Sequence, residues 1–350
     1  MLSLKDEKTR YFTMKKKLYI FALSFCLLCS SIFLGGCSSP KDQISKTDFY
    51  FDTVITITLY DAAYEKELEH CFSMAAKYEN LLSAQKENTE IWQINHSNGK
   101  PVTVSDETIA LLEAGIEYSK KSNGTFDITV GKLSSLWDFS ENSAKHLPSE
   151  DEIAAALATI DYHNVIIEGN TVTLTNPDAA IDLGGIAKGY IADQMKAYLN
   201  KQGITSGLIN LGGNVLCVGP KTGEEKTYTI AIQKPFSEDG TVLATVKVSD
   251  ASVVTSGTYQ RYFEVNGKRY HHILDLTTGY PCNNTLDSVT IISKKSVDCD
   301  ALSTTVFLMG LDDGLSYVEN LSGVEAIFVT TSGDIKYTSG IGKTIPFEQR

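Results

Sequence analysis

The stretch "NVIIEGNTVTLTN" at residues 164–176 predicts a β-hairpin, because two β-rich segments flank the turn pair Gly169-Asn170. The stretch "YFEVNGKRYHHILDL" at 262–276 repeats the pattern around Asn266-Gly267. Hairpins of this kind are more frequent along the chain than strict strand–helix–strand alternation. The sequence therefore predicts an α+β fold with largely antiparallel or mixed sheets and flanking helices.

Helix signals lie between these strands and show where three helices begin. Ser105 precedes an acidic first turn, and Ser149 forms a capping box with Glu152. A third helix is expected from about Ile186. Residues 48–345 contain no proline- or serine-rich linker, no low-complexity tract and no repeat. We therefore expect a single catalytic domain over residues 48–345.

The N-terminal segment has the composition of a targeting signal. From Met14, the better candidate start, three lysines precede a short apolar stretch that ends in Leu-Gly-Gly-Cys at Cys37. This ending resembles the lipobox of bacterial lipoproteins. It predicts a signal peptide over 1–36, a lipid on Cys37, a tether over 37–47, and a location on the extracytoplasmic face of the cytoplasmic membrane. An ordinary cleaved signal peptide with an incidental cysteine is the alternative.

The charge of the chain excludes one class of partner. Residues 1–36 hold 6 of the 31 basic and 2 of the 43 acidic residues, so their removal changes the net charge from −12 to −16. A nucleic-acid-binding protein needs a basic surface, so we expect no nucleic-acid partner. An anionic ligand would need a metal ion or local donors.

The cysteines do not predict a disulfide framework or a zinc site. Four of the seven lie beyond Cys37, far apart and without a CxxC pair. We expect buried free thiols at Cys71, Cys217, Cys282 and Cys299.

The stretch "IDLGGIAKGYIAD" at 181–193 suggests an anion site. Ile181 is expected to end a strand, and a glycine turn at a helix start offers free backbone N–H groups to a phosphate. Lys188 would add a full charge, whereas Asp182 would repel a phosphate unless a cation intervened. The Walker pattern is absent. The alternative is that Asp182 caps the helix and the glycines only permit close packing.

The stretch "DCDALSTT" at 298–305 suggests a metal site. Asp300, Ser303 and Thr304 are spaced i, i+3 and i+4, which places one carboxylate and two hydroxyls on one helical face. Oxygen ligands of this kind suit Mg²⁺. The alternative is a capping role, with Asp298 or Asp300 at the start of the helix.

Three further stretches contain candidate site residues. Residues 255–281 combine aromatic side chains, Arg261 and paired histidines, of which His272 is a candidate general base. The stretch "GTFDIT" at 124–129 would let a loop meet a planar ligand. The stretch "NLGGNV" at 210–215 predicts another turn with close backbone approach.

Five of these stretches, in this order, resemble the FAD:protein FMN transferases, the ApbE family. They are DLGGIAKGYIAD, NLGGNV, TSGTYQRYF, HHILDLTTGYP and CDALSTTVFLMG, and the resemblance covers roughly residues 48–345. It implies Mg²⁺-dependent cleavage of FAD, release of AMP, and attachment of FMN to a Thr or Ser hydroxyl. The acceptor would be an exported or membrane-bound electron-transfer protein with a flavinylation motif.

The resemblance also assigns roles to individual positions. Three residues would be catalytic: His272 as the base, Asp300 and Lys188. The residues expected to contact FAD are Phe51, Gln85, Thr125, Phe126, Asp127, Asp182, Lys188 and Ile273. The residues expected to bind the metal are Gly185, through its carbonyl, Asp300, Ser303 and Thr304.

The chain departs from the family pattern at three positions. Phe51 stands in place of a methionine, Gln85 in place of a tyrosine or asparagine, and Leu276 in place of a proline. The departures at Phe51 and Gln85 bear on how FAD stacks in the site and on whether transfer of FMN to protein exceeds hydrolysis of FAD. The alternatives are therefore a FAD pyrophosphatase that gives FMN and AMP, and a non-catalytic flavin-binding lipoprotein. A pure binder would not need Asp300 and Thr304.

Overall fold

An eight-stranded antiparallel sheet forms the centre of the fold, in the strand order β1-β2-β6-β7-β10-β13-β14-β15. The computed structural model describes residues 43–140, 147–237 and 240–350. The strands of this part are β1 Ile44–Tyr50, β2 Thr53–Leu59, β3 Val102–Thr103, β4 Val165–Glu168, β5 Thr171–Leu174, β6 Gly207–Leu211, β7 Asn214–Val218, β8 Tyr228–Gln233, β9 Val242–Val248, β10 Ser252–Gly257, β11 Tyr262–Val265, β12 Lys268–His271, β13 Leu286–Ser293, β14 Glu325–Thr330, β15 Ile335–Tyr337 and β16 Phe347–Gln349. Three smaller sheets, β11-β12, β16-β9-β8 and β3-β5-β4, are antiparallel as well.

Helices cover the large sheet and bury its apolar side chains. They are α1 Glu65–Leu82, α2 Glu90–Asn95, α3 Asp106–Lys121, α4 Gly131–Trp137, α5 Glu150–Leu157, α6 Ala187–Lys201, α7 Ser296–Met309 and α8 Leu311–Glu319. Ser105 caps α3, and Ser149 with Glu152 forms the capping box of α5. Both hairpins predicted from the sequence are present. The α+β prediction is confirmed, and the described residues belong to one compact unit.

The folded part begins earlier than predicted. Strand β1 starts at Ile44, inside the segment 37–47 assigned to a tether and ahead of the boundary at 48. It pairs along its whole length with β2, from Ile44 opposite Leu59 to Tyr50 opposite Thr53. The strand lies at the edge of the sheet and is mostly exposed, so its polar sequence resembles that of a linker. The signal peptide over 1–36 and Cys37 lie outside the described residues.

Two further observations bear on the sequence predictions. Cys71, Cys217, Cys282 and Cys299 are free thiols, and all but the partly exposed Cys282 are buried. Within the described ranges, no helix combines the length and the apolar character that crossing a bilayer requires.

The turn between β1 and β2 contains two strained residues. Phe51 and Asp52 have φ of 55° and 54°, the left-handed pair that a two-residue hairpin turn requires and that glycine adopts most easily. We expect Asp52→Gly to raise the free energy of unfolding by about 0.5–1 kcal/mol in urea titrations. Asp48→Gly, in the middle of β1, is the matched control and should lower it. A D52G protein less stable than wild type would contradict the strain.

Candidate functional site

The segment before α6 is held by side chains from two other helices, α2 and α4. Asn95, at the end of α2, accepts a hydrogen bond from the Ile181 amide (2.7 Å) and donates one to the Ile181 carbonyl (2.9 Å). Because this side-chain amide takes the place of a neighbouring strand, the strand predicted to end at Ile181 does not form. A single bridge between Ala180 and Val130 replaces it.

Asp182 organises the loop rather than capping the helix. Its Oδ1 accepts a hydrogen bond from the Gly184 amide at 2.8 Å, and its Oδ2 accepts one from Ser134 Oγ at 2.6 Å. Helix α6 begins only at Ala187, and no side chain caps it at Ile186. The Ala187 amide donates to the Leu183 carbonyl and the Gly189 amide to Asp300. Among the described residues, the first turn of α6 therefore leaves the Lys188 amide for an anion.

Gly185 brings the loop against two other predicted site residues. A Cβ atom at this position would lie 3.0 Å from Cε2 of Phe126 and 3.8 Å from Oγ1 of Thr304. The 181–188 loop, the 124–129 stretch and helix α7 therefore meet at Gly185.

Helix α7 carries the predicted metal ligands on one face. Asp300 is 5 % exposed, and its Oδ2 accepts a hydrogen bond from the Gly189 amide at 2.8 Å. Among the described residues, no hydrogen-bond donor reaches Oδ1 of Asp300. A buried carboxylate with one free oxygen is suited to binding a cation.

Ser256, on β10, completes the polar cluster beside Asp300. Its hydroxyl lies 2.7 Å from Ser303 Oγ and 3.4 Å from Thr304 Oγ1. Ser303 is fully buried and also donates to the Asp300 carbonyl at 2.9 Å. The Ser303 hydroxyl is thus committed to protein partners, which leaves Thr304 as the freer oxygen ligand.

The donor set of this cluster fits Mg²⁺. It consists of the Asp300 carboxylate, the Thr304 hydroxyl and the Gly185 backbone, which are all oxygen ligands. In the part of the chain that the structure describes, no three His, Cys, Asp or Glu side chains group as a metal site. A cation here would depend on one carboxylate together with neutral and substrate oxygens, as Mg²⁺ commonly does beside phosphates.

Lys188 lies close enough to His272 for its charge to act on the imidazole. Lys188 Nζ is 3.4 Å from the Gly184 carbonyl. Burial, together with the charges of Arg261, His271 and Lys188, lowers the pKa of His272 to about 3, although the hydrogen bond to the Arg261 carbonyl opposes the shift. The imidazole is therefore neutral at physiological pH, as a general base must be.

The two adjacent histidines have different surroundings. His272 Nδ1 lies 3.2 Å from the Arg261 carbonyl, which only accepts, so Nδ1 carries the proton and Nε2 keeps its lone pair. His271 is buried, with Nε2 2.9 Å from the Cys282 carbonyl and Nδ1 accepting from the Ile273 amide. Only His272 has a nitrogen available for chemistry.

Asp127, a further predicted FAD contact, is buried and hydrogen-bonded to other protein groups. Asp127 is 5 % exposed, burial raises its pKa, and its oxygens accept hydrogen bonds from Thr129 and from the Tyr162 amide. This carboxylate stabilises the loop that presents Thr125 and Phe126.

Three further predicted FAD contacts have partners outside the polar cluster. The Phe51 amide donates to Glu79, Gln85 is exposed just after α1, and Ile273 packs in the apolar cluster around α7. Within the described ranges, no hydrogen bond, ion pair or ring contact joins these three residues to Asp300 or to the 181–188 loop.

Sequence reasoning missed three residues of this site. Asn95 holds the Ile181 backbone, Ser256 contacts the metal-site hydroxyls, and Asp193 binds the start of α7. Ser256 and Asp193 lie inside stretches that the sequence singled out, but their partners are distant in sequence. Only a three-dimensional structure connects them.

Comparisons with known proteins agree with this architecture. Residues 51–328 match the ApbE family. The chain is 39 % identical over 271 residues to a FAD:protein FMN transferase of Klebsiella pneumoniae, covering 77 % of this chain and 83 % of that protein. It is 31 % identical over 335 residues to one of Treponema pallidum, covering 90 % and 92 %.

Solved structures show the same fold. The ApbE protein of Thermotoga maritima superposes with a TM-score of 0.79 at 32 % identity, covering 85 % of this chain and 97 % of that one. The flavin transferase ApbE of Vibrio cholerae gives a TM-score of 0.74 at 27 % identity, with the same coverage. This chain belongs to the ApbE family.

Proposed function

We propose that this protein is a Mg²⁺-dependent FAD:protein FMN transferase. The observation that carries the proposal is the buried Asp300, whose free Oδ1 lies in an all-oxygen cluster beside the glycine loop at the start of α6. The names of the relatives support the same reaction. A protein that only binds flavin would gain nothing from a buried carboxylate next to an anionic pyrophosphate.

The chain's own residues supply binding and proton transfer. The backbone amide of Lys188 and the charge of its side chain would bind the pyrophosphate of FAD. Asp300, Thr304 and the Gly185 carbonyl would hold Mg²⁺, which would neutralise charge on the phosphate oxygens and on the AMP leaving group. Phe126 and Thr125, next to Gly185, would contact the nucleotide.

The reaction exchanges the phosphoanhydride bond of FAD for a phosphoester bond to the acceptor. The hydroxyl oxygen of an acceptor Thr or Ser attacks the phosphorus on the FMN side, and the bond from that phosphorus to the bridging oxygen breaks. AMP leaves with that oxygen, and Nε2 of His272 takes the hydroxyl proton. Binding of an anionic pyrophosphate beside Lys188 raises the basicity of this imidazole, because it offsets the positive charge nearby.

The acceptor would be an exported or membrane-bound electron-transfer protein. This assignment is consistent with the proposed lipid on Cys37, which would keep the enzyme on the extracytoplasmic face of the membrane. The mass of the mature N-terminal peptide tests the anchor, since an unmodified Cys37 would contradict it.

The transfer is tested with the purified protein, FAD, Mg²⁺ and an exported protein that carries an Asp-Gly-x-Thr-Ser-Gly-Ala-Thr site. We expect a fluorescent acceptor band on a denaturing gel, one AMP per flavin attached, and loss of both with a chelator. His272→Gln should slow AMP release by about 10²–10⁴-fold. His163→Gln, a control on an exposed histidine, should leave the rate unchanged.

Other outcomes of this experiment would favour the alternatives. AMP with free FMN and a dark acceptor band would indicate a FAD pyrophosphatase. Bound FAD without any AMP would indicate a flavin-binding lipoprotein and would contradict the role given to Asp300.

A further inference from the structure

Helix α7 begins without a capping side chain of its own. Lys295 occupies the position before the first turn and makes no side-chain bond to it. Asp193 of α6 performs this function instead, because its Oδ1 accepts from the Ser296 amide and its Oδ2 from the Val297 amide, both at 2.9 Å. A carboxylate at a helix N-terminus satisfies free N–H groups and complements the helix dipole.

The same face of α6 contacts α7 at a second level. Gly189, one turn before Asp193, donates its amide to Asp300, one turn after Ser296. The absence of a side chain at Gly189 allows this approach, since a Cβ there would lie 2.3 Å from the Ser296 carbonyl oxygen. Helix α6 therefore holds α7 both at its start and at the carboxylate of Asp300.

The surroundings of Asp193 disfavour the charged form of its carboxylate. Burial and the nearby Asp298 raise its pKa, whereas the two amide bonds and Lys196 lower it. Lys196 itself is paired with Asp250 at 2.8 Å. A neutral side chain would meet no such desolvation cost, so the two amide bonds are the evident reason for an aspartate here.

We propose that Asp193 is a positioning residue for the metal site. By fixing the start of α7 to α6, Asp193 holds the free Oδ1 of Asp300 and the hydroxyl of Thr304 beside the 181–188 loop, which leads into α6. The inference rests on the proposed function, because it concerns how that site binds its cation. A cap with only a structural role would affect stability and leave metal affinity unchanged.

The test measures metal binding directly, apart from activity. Mn²⁺ is titrated into the purified protein with ADP, which carries a pyrophosphate that is not turned over, and the free ion is followed by electron paramagnetic resonance. We expect Asp193→Asn, which keeps the volume but can accept only one of the two N–H groups, to raise the Kd for Mn²⁺ by about 10–100-fold. Metal-free ADP binding should change by less than about threefold, because the amide and the charged side chain of Lys188 remain.

Glu90→Gln provides the matched control. Glu90 of α2 accepts from the Ser105 amide at 3.0 Å and from Ser105 Oγ at 2.8 Å, so it too reaches from one helix to the start of another. Helix α3, which it holds, carries none of the predicted site residues. E90Q should lower the urea midpoint without changing the Kd for Mn²⁺.

The outcomes separate this inference from the proposed function. Wild-type protein that binds no Mn²⁺ would overturn both, whereas tight wild-type binding with an unchanged D193N would overturn only the role of Asp193. If D193N does not fold, Asp193→Glu is measured instead. Glutamate keeps both acceptor oxygens, but its additional methylene would displace the start of α7. D193E with near wild-type stability and weaker Mn²⁺ binding would support the proposal, and unchanged binding would refute it.

Discussion

Asp300→Asn is expected to lower kcat/KM for FAD cleavage by about 10³-fold or more, equivalent to about 4 kcal/mol of transition-state stabilisation. The amide has the size of the carboxylate, and its oxygen can still accept from the Gly189 amide as Asp300 Oδ2 does at 2.8 Å. Its NH₂ group would then occupy the place of Oδ1 and present donors to a cation. The variant should fold, bind FAD within a few-fold of wild type and lose its dependence on Mg²⁺.

A neighbouring carboxylate on the same helix controls for the charge change. Asp298, two residues earlier, accepts a hydrogen bond from Tyr118 at 2.5 Å and is not among the predicted metal ligands. Asp298→Asn removes the same charge from α7 and should leave kcat/KM within about threefold of wild type, as expected for a side chain that does not touch the reacting groups. Steady-state rates of AMP release over a Mg²⁺ series would decide the matter: equal losses in D300N and D298N would show that net charge, not metal binding, is responsible.

The parts of the fold that the sequence predicts are those determined by neighbouring residues. The hairpin turns at Gly169-Asn170 and Asn266-Gly267, and the cap at Ser105, follow from chemistry within a few residues. The placement of Asp300 and Thr304 on one face of α7 is equally local, since the helical repeat alone sets it.

The parts that the sequence does not predict depend on partners distant along the chain. Asn95 replaces a strand at Ile181 from 86 residues away, and Asp193 caps a helix whose first residues are 103 and 104 positions later. The two capping alternatives are therefore not observed: Asp182 accepts from the Gly184 amide within its own loop, and α7 begins at Ser296, before Asp298 and Asp300. A periodicity argument identifies a polar residue but not the tertiary partner that it satisfies.

Hydrogen bonding also distinguishes residues that look alike in the sequence. Asp127 and Asp300 are both aspartates in candidate stretches, and both are 5 % exposed. Asp127 has accepted hydrogen bonds on both oxygens, whereas only Oδ2 of Asp300 has a partner among the described residues. The free oxygen, not the residue type, marks the position that can bind a cation.

Among the variants proposed, Gly189→Ala is expected to have the largest effect on stability and to lower the free energy of unfolding by about 3 kcal/mol. The steric clash outweighs the gain of about 1 kcal/mol in helix propensity. The added Cβ would lie 2.3 Å from the Ser296 carbonyl oxygen and 2.7 Å from Cα of Val297. Both are backbone atoms, so no rotamer change relieves the clash and α6 must move away from α7. The Gly189–Asp300 hydrogen bond would lengthen as a consequence, and the affinity for Mn²⁺ should fall together with stability.

Gly115→Ala is the comparison that isolates this cause. Gly115 also lies within a helix, but its nearest contact, 2.7 Å from the added Cβ, is the Cγ2 methyl of Ile128, a side-chain atom, whereas the contacts of Gly189 are backbone atoms. The helix-propensity gain is the same at both positions, so G115A should lose less stability than G189A. Urea unfolding of the two variants measures the difference. A G189A protein as stable as G115A would mean that α6 and α7 adjust freely, and the positioning of Asp300 by α6 would then have no rigid basis.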